Sequence, residues 1–582
     1  MANIMSLKSL RNKTSRNGFD LSSKRNFTSK AGELLPVKTW EILPGDTFRI
    51  DLKAFARTQP LNTAAFARMR EYYDFYFVPY DLLWNKANTV LTQMYDNPQH
   101  AISYDPMANF ILSGDMPYLT CHQIADYLNG VANDIPDNSV KNYFGYNRGL
   151  LSAKLLEYLG YGNFYSYAED SSYTWSANPL KNNLQLNLFG LLAYQKIYAD
   201  FYRDSQWEKI SPSTFNVDYM DGRNMNLDFS GSSSFSDNYN MFDLRYCNWQ
   251  KDLFHGVVPR AQYGDVASIS MESAVIAAGS AALINSTIGP SNTTTSLRFS
   301  SSPVVPSGSP LLTQPSFSIL ALRQAEFLQK WKEITQSGNK DYKEQVEKHW
   351  NVSPGDGFSE MCTYLGGTSS SMDINEVVNN NITGNYAADI AGKGTGISNG
   401  VINFNSQGRY GLVMCIYHCL PLIDYTTDLV SPIFTKVNAT DYAIPEFDRV
   451  GMQQVPLAHF SNPALSEFGS LVIDHIGYAP RYIDYKTDVD SSVGAFKGSL
   501  NSWVISYGNA SLVKQLGSID PNNQPSPSAA PLNYTMFKVN PDSLNPIFAV
   551  NVDSTVNTDQ FLCSSFFDVK VVRNLDTDGL PY

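Results

Sequence analysis

Residues 47–57 read Thr-Phe-Arg-Ile-Asp-Leu-Lys-Ala-Phe-Ala-Arg. Phe48, Ile50, Leu52 and Ala54 alternate with Arg49, Asp51 and Lys53. A period of two places the apolar set on one side of an extended chain, so this stretch predicts a half-buried strand. The Pro44-Gly45-Asp46 turn precedes it, and Glu71–Tyr80 (EYYDFYFVPY) follows as a second strand. There Tyr73, Phe75 and Phe77 share one side, but the other side is aromatic too, which predicts burial on both. Late in the chain the same composition returns at Tyr410–Leu420, Leu471–Gly477, Asn501–Tyr507, Asn533–Val539 and Gln560–Val572.

Helical signals lie between these strand groups. Thr120 and Gln123 form a T-x-x-Q capping box before a short helix stopped by Gly130. Ser152–Leu159 reads as a helix closed by Gly160, and Leu186–Arg203 as a longer one with a broad apolar stripe. A helical hairpin spans 317–350. Its first helix carries Phe327, Leu328 and Trp331, and Asp341 with Glu344 opens the second. Residues 81–245 therefore form a helix-and-loop insertion. Residues 265–316, with only Asp265, Glu272 and Arg298 charged, read as a variable surface excursion, and the Gly-, Ser- and Asn-rich 366–408 as a flexible loop. Strands, then helical insertions, then strands argue for one antiparallel barrel or sandwich over residues 31–582. They argue against an α/β sheet, because strands and helices do not alternate.

Of the 582 residues, 43% are apolar, 13% aromatic and only 17% charged. Scarce charge with abundant Tyr and Phe suits large subunit interfaces, and suits a sugar-binding surface as well. The net charge of −12 is uneven. Residues 1–30 carry Lys8, Arg11, Lys13, Arg16, Lys24, Arg25 and Lys30 against Asp20 alone, while the remainder is acidic. We read 1–30 as a basic flexible arm that either holds a polyanion through its seven bases or is simply solvated. Six sparse cysteines exclude a disulfide scaffold and point to thiols made in a cytoplasm. The most membrane-like run, Ala274–Ile284, is far short of a bilayer span, so no membrane insertion is expected.

Catalytic and cofactor readings fail on spacing. No G-x-S-x-G elbow occurs, and 392–400 (GKGTGISNG) lacks the order of a phosphate loop. Cys415 and Cys419 share a strand face that His418 does not, and no second cluster completes a zinc site. The seven histidines form no H-x-H or H-x-x-x-H pair, and Asp488 and Asp490 read as solvated charge. We expect no enzyme, cofactor or metal.

Asn17-Gly-Phe-Asp-Leu-Ser22, Phe27-Thr28, Gly32-Glu-Leu-Leu-Pro36 and Leu43-Pro-Gly-Asp46 together resemble the amino-terminal segment of Microviridae major capsid proteins, in the gokushovirus-like, gut-phage branch. Ala54–Arg57, Phe75–Pro79, Asn248–Asp252, the hairpin Ser318–Trp350 and Tyr364–Gly367 continue the resemblance, whereas Val258–Gln262 departs from it. It implies a mainly β fold, an eight-stranded antiparallel jelly roll (viral β-barrel) with long insertions containing helices. It also implies a T=1 icosahedral virion shell, assembled in the host bacterial cytoplasm and enclosing single-stranded DNA. The implied partners are further copies of the chain, packaged DNA, minor virion and scaffolding proteins, and a bacterial host surface receptor. The seven bases of the arm become candidate DNA contacts. Residues 265–316 become the candidate threefold protrusion. The alternative is a bacterial surface glycan-binding protein. That reading needs a signal peptide or an early lipid-bearing cysteine, and the first cysteine is Cys121.

Overall fold

The computed structural model describes residues 15–92, 116–125, 128, 144–166, 184–220, 239–262, 284–285, 298–299, 319–339, 341–355, 357, 359–378, 390–406, 408–427, 429–460, 475–507 and 534–577. The alternating stretch is a strand, β4 (Thr47–Thr58), preceded by β1 (Asn17–Asp20), β2 (Ser23–Ser29) and β3 (Leu35–Ile42). β5 (Arg68–Pro79) follows. After the insertions come β6 (Thr363–Val378), β7 (Ile390–Asn405), β8 (Gly411–Leu422) and β9 (Phe561–Arg573). All pair antiparallel, in the order β3–β8–β5–β6–β7–β4–β9–β1, with β2 also on β9. β2 pairs with 561–567 and β1 with 570–573 of β9, so the two fill one strand position end to end. Eight positions result, and the sheet is a jelly roll.

β6 curls it. Its residues 363–372 pair with β5, and 373–378 turn to pair with β7. The two halves of the sheet thus face each other across one core. Phe567 of β9 meets Trp40 and Phe75 edge-on, at ring separations of 5.4 and 6.5 Å. The Tyr73 hydroxyl lies 2.9 Å from Ser565 Oγ. The second face of β5 is buried only at its far end, at Tyr76 and Val78, while Tyr72 and Asp74 are half-buried and Arg68 and Arg70 exposed. Tyr76 packs on Phe201, and Tyr72 stacks on His418. The covering element is helix α2 (Phe189–Ile197), whose end unwinds into a π turn at Tyr198–Tyr202. Helix α1 (Arg148–Leu159) begins a turn earlier than the sequence suggests. Asn147 caps it by accepting from Leu150 N, and Gly160 ends it at φ +95°. The Thr120–Gln123 capping box is present.

Several expectations need correction. Of the expected flexible loop 366–408, residues 379–389 lie outside the described residues, and 366–378 and 390–405 are instead strand, in β6 and β7. Their glycines are there for space. A Cβ on Gly400 would stand 2.5 Å from Thr368 Cγ2, and one on Gly392 2.4 Å from Thr63 O. The reading of 1–30 as flexible fails for 17–29, which are strands of the sheet. Phe27 is the one buried large side chain there, packed edge-on against Tyr417, and Phe19 and Leu21 pack on the core only in part, so the apolar period is weak. The backbone of β9 supplies its pairing. Residues 534–537 form a 3-10 turn, with single bridges where a strand was expected, and of 501–507 only Ser506–Tyr507 is extended. His475–Pro480 pairs with Met452–Pro456, while 471–474 lie outside the described residues.

In place of one domain, two compact units appear. Residues 1–259 and 359–582 make the first, and 260–358 the second. The second holds the expected hairpin, α3 (Ile319–Gln336) and α4 (Tyr342–Trp350), the latter opening at Asp341 and closing at Asn351 in the left-handed region. Of 265–316, only the two-residue strands Ile284–Asn285 and Arg298–Phe299 are described.

Candidate assembly surface

The segment 430–503 leaves the jelly roll after Tyr425 and returns before Tyr507. Apart from the Met452–Pro456 and His475–Pro480 ladder, its described residues are mostly short 3-10 turns. Pro432 and Pro445 start two of them, as fixed φ and a missing N–H allow. Asn438 and Asp441 cap another reciprocally. Lys436 Nζ lies 2.6 Å from Asp484 and 3.6 Å from the centre of the Tyr485 ring. Burial works against the charge of Lys436, but its bonds to Asp484 and Tyr485 outweigh that and raise its pKa.

Tyr425 ties this segment to the core. Its hydroxyl donates to Asp252 Oδ2 at 2.7 Å and lies 2.6 Å from His255 Nδ1. Its backbone bonds Asp490 and Ser492, and its ring meets Phe254, Phe460 and Tyr507 edge-on. Burial raises the Asp252 carboxyl, but bonds from His255 and Tyr425 prevail and hold it below the usual range.

The outside of this anchored segment carries large apolar side chains among exposed charges such as Glu446, Asp448, Arg449 and Asp488. Phe434 is 80% and Val437 82% exposed, and Ile433, Val450, Tyr485 and Val493 are also uncovered. A cavity of about 890 Å³ opens beside them, lined by Phe254, Pro432, Ile433, His459, Tyr485 and Val493 among others. Isolated exposed apolar residues are ordinary, but a concentration of them marks an interaction surface. The hairpin unit shows the same trait at Phe327, Trp331 and Trp350. Sequence reading missed 430–503 because its apolar residues follow neither a period of two nor one of 3.6. The available signal was the Pro-Ile-Phe run at 432–434 with Val437 close behind.

Of the seven candidate DNA contacts, the four among the described residues do not form one site. Lys8, Arg11 and Lys13 lie outside the described residues. Arg16 is exposed and donates to Gly45 O and Thr47 Oγ1. Lys24 is exposed on β2. Arg25 donates to Tyr158 O at the end of α1, where a cation meets unpaired carbonyls.

Lys30 is a correction. It is fully buried and donates to Asp559 Oδ1 and Thr555 O, each at 2.8 Å, so no phosphate reaches it. Asp559 also accepts from Lys154 at 3.0 Å, and Lys154 donates to Glu33 at 2.6 Å. Burial pushes the Asp559 carboxyl up, yet Lys154 and Lys30 hold it below its usual value. Such charges survive burial because each is paired.

Cys415 and Cys419 are free buried thiols, each raised by burial. Among the described residues no cluster of three or more His, Cys, Asp or Glu has metal-binding geometry. No helix among them is long and apolar enough to cross a membrane.

Comparison with known proteins agrees with the fold. The family described as capsid protein (F protein) matches residues 8–148 and 164–582. Capsid protein VP1 of Chlamydia phage 1 is 22% identical over 97% of this chain and 95% of its own length. Capsid protein VP1 of Bdellovibrio phage phiMH2K is 33% identical over a shorter block, 16% of this chain and 17% of that protein. Matched along nearly all its residues, the chain belongs to the phage capsid protein (F protein) family.

Proposed function

We propose that copies of this major capsid protein close into a T=1 icosahedral shell around single-stranded DNA, through the uncovered apolar surface of 430–503 and the hairpin α3–α4. One observation carries the reading. The exposed apolar side chains at 433, 434, 437, 450 and 493 sit on a segment fixed to the core through Tyr425, so the surface is held ready and needs only a partner. Symmetric copies supply that partner, and many modest contacts add to a closed particle. The scarcity of charge means little desolvation opposes each contact.

The role is structural and not enzymatic, with assembly in the bacterial cytoplasm. Packaged DNA, scaffolding and minor virion proteins and a host receptor are its further partners. Family membership favours this over the glycan-binding alternative. The test is sedimentation and electron microscopy of the purified full chain. Uniform megadalton spheres are expected. A chain that stays monomeric across salt and concentration, or that turns over a substrate, overturns the reading.

A further inference from the structure

The outward faces of β2, β9, β4 and β7 form one continuous surface whose rows follow from the strand registers. One row runs Lys24, Phe566, Lys53, Asn399. The next runs Asn26, Ser564, Phe55, Ile397, and a third Thr28, Leu562, Arg57, Thr395. Lys24, Lys53 and Arg57 are exposed, as are Phe55, Phe566, Leu562 and Ile397. Across these three rows the four strands bear no carboxylate. Asp51 and Asp568, opposite each other, bound the patch on one side, and Asp373 of β6, opposite Thr395, bounds it at the edge. Among the described residues, Lys24, Lys53 and Arg57 have no ion-pair partner, whereas Lys570, beyond the boundary, pairs with Asp20 and Asp568. The Arg57 guanidinium lies 5.0 Å over the Phe55 ring, so charge and aromatic face are presented together.

The rest of the chain is acidic, so a local concentration of cations without acids is a departure that calls for an anionic occupant. Rings between the cations narrow the choice. A folded acidic protein needs no flat aromatic platforms, and duplex DNA has no free base faces to stack on them. Unpaired bases do, with the phosphates taken by the lysines and arginine.

We propose that this sheet face is a platform for single-stranded nucleic acid, with Lys24, Lys53 and Arg57 on phosphates and Phe55 and Phe566 under bases. The proposal rests on the shell reading, since it supplies that shell with a wall contact to its contents. Binding there is blind to sequence, because phosphate contacts and stacking carry almost no base information.

The test uses the full chain and fluorescent oligo(dT), with anisotropy read across a salt series. The doubly substituted Lys53→Ala/Arg57→Ala chain is expected to bind more weakly. Its slope of log K against log salt should be shallower by about 1.4, at ~0.7 per lost phosphate contact. Phe55→Leu/Phe566→Leu is expected to weaken binding about tenfold or more with the slope unchanged, as loss of stacking requires. A duplex of the same length should be insensitive to the ring substitutions. Thermal unfolding confirms that each variant is folded.

Native-like oligo(dT) binding by both variants overturns the proposal. So does polyglutamate that competes as well as oligo(dT), which makes the face an acidic-protein site. Particle formation is scored separately by sedimentation. Shells that form while both variants bind oligo(dT) normally sink the platform alone, and an unaltered chain that forms no shells sinks the assembly reading.

Discussion

Lys154 of α1 and Glu33, just before β3, meet at 2.6 Å with neither side chain exposed, and Lys154 also reaches Asp559 ahead of β9. Three distant parts of the chain are therefore locked by one buried charge cluster. Lys154→Ala leaves two carboxylates with Lys30 as their nearest cation. The expected loss is about 3–5 kcal/mol, read as a lower denaturant midpoint. The cluster also sets a pH window. Asp559 is depressed below its ordinary 3.8, so its contribution is present above that value and fades as the pH falls through the lower folded value. Burial opposes the charge of Lys154, but Asp559 and Glu33 raise it above 10.5, so its share is complete below 10.5 and is lost only at higher pH.

His418 gives a second pH effect. It is stacked on Tyr72 at 4.8 Å, and burial lowers its pKa from 6.5 to about 3. Asp74 lies 3.9 Å from Nδ1, beyond hydrogen-bond reach, and is itself raised by burial, so burial governs the ring. The unfolded chain takes up the proton first. Stability should therefore fall as the pH drops below 6.5, by up to about 1.4 kcal/mol per pH unit until about 3. His418→Gln should remove that component. Equal pH slopes for the two chains over this range would contradict the assignment.

Phe434→Asp with Val437→Asp places two carboxylates on the apolar surface. Both sites are exposed, so the folded chain should keep its stability to within about 0.5 kcal/mol. Particle yield in sedimentation should collapse, because each charge would have to be desolvated at a contact.

Gly392→Ala would drive a Cβ to 2.4 Å from Thr63 O and 3.1 Å from Leu61 Cδ1. Backbone cannot rotate aside as a side chain does, and a cost of about 1–3 kcal/mol is expected. Gly355→Ala, with nothing within 4 Å, is the control and should leave thermal unfolding unchanged.

Where a strand has one wet and one dry side, or is aromatic on both, the sequence makes it plain, as at β4, β5 and β9. Capped helices are equally legible from Thr120–Gln123 and Gly160. β6 and β7 were hidden because close packing at the curl selects Gly and Ser, the composition of a loop. β2 was hidden because its partner does most of the holding. Lys30 looked like a tail cation because only the fold brings Asp559, far along the chain, against it. The assembly surface had no period to find, since it is built of turns. The platform on β2, β9, β4 and β7 needed the registers, which no single strand discloses.

Ser22 and Asp568, hydrogen-bonded where the first strands lie against β9, are separated by 546 positions. At the usual 5–20 residues per second of synthesis, β1 and β2 wait about half a minute to two minutes for their partner to be translated. The sheet is finished only after that delay, and pairings so remote in sequence form slowly. A ribosomal product broken off before β9 lacks the piece that seats its own beginning. Incomplete chains therefore leave β1 and β2 without the strand on which both pair.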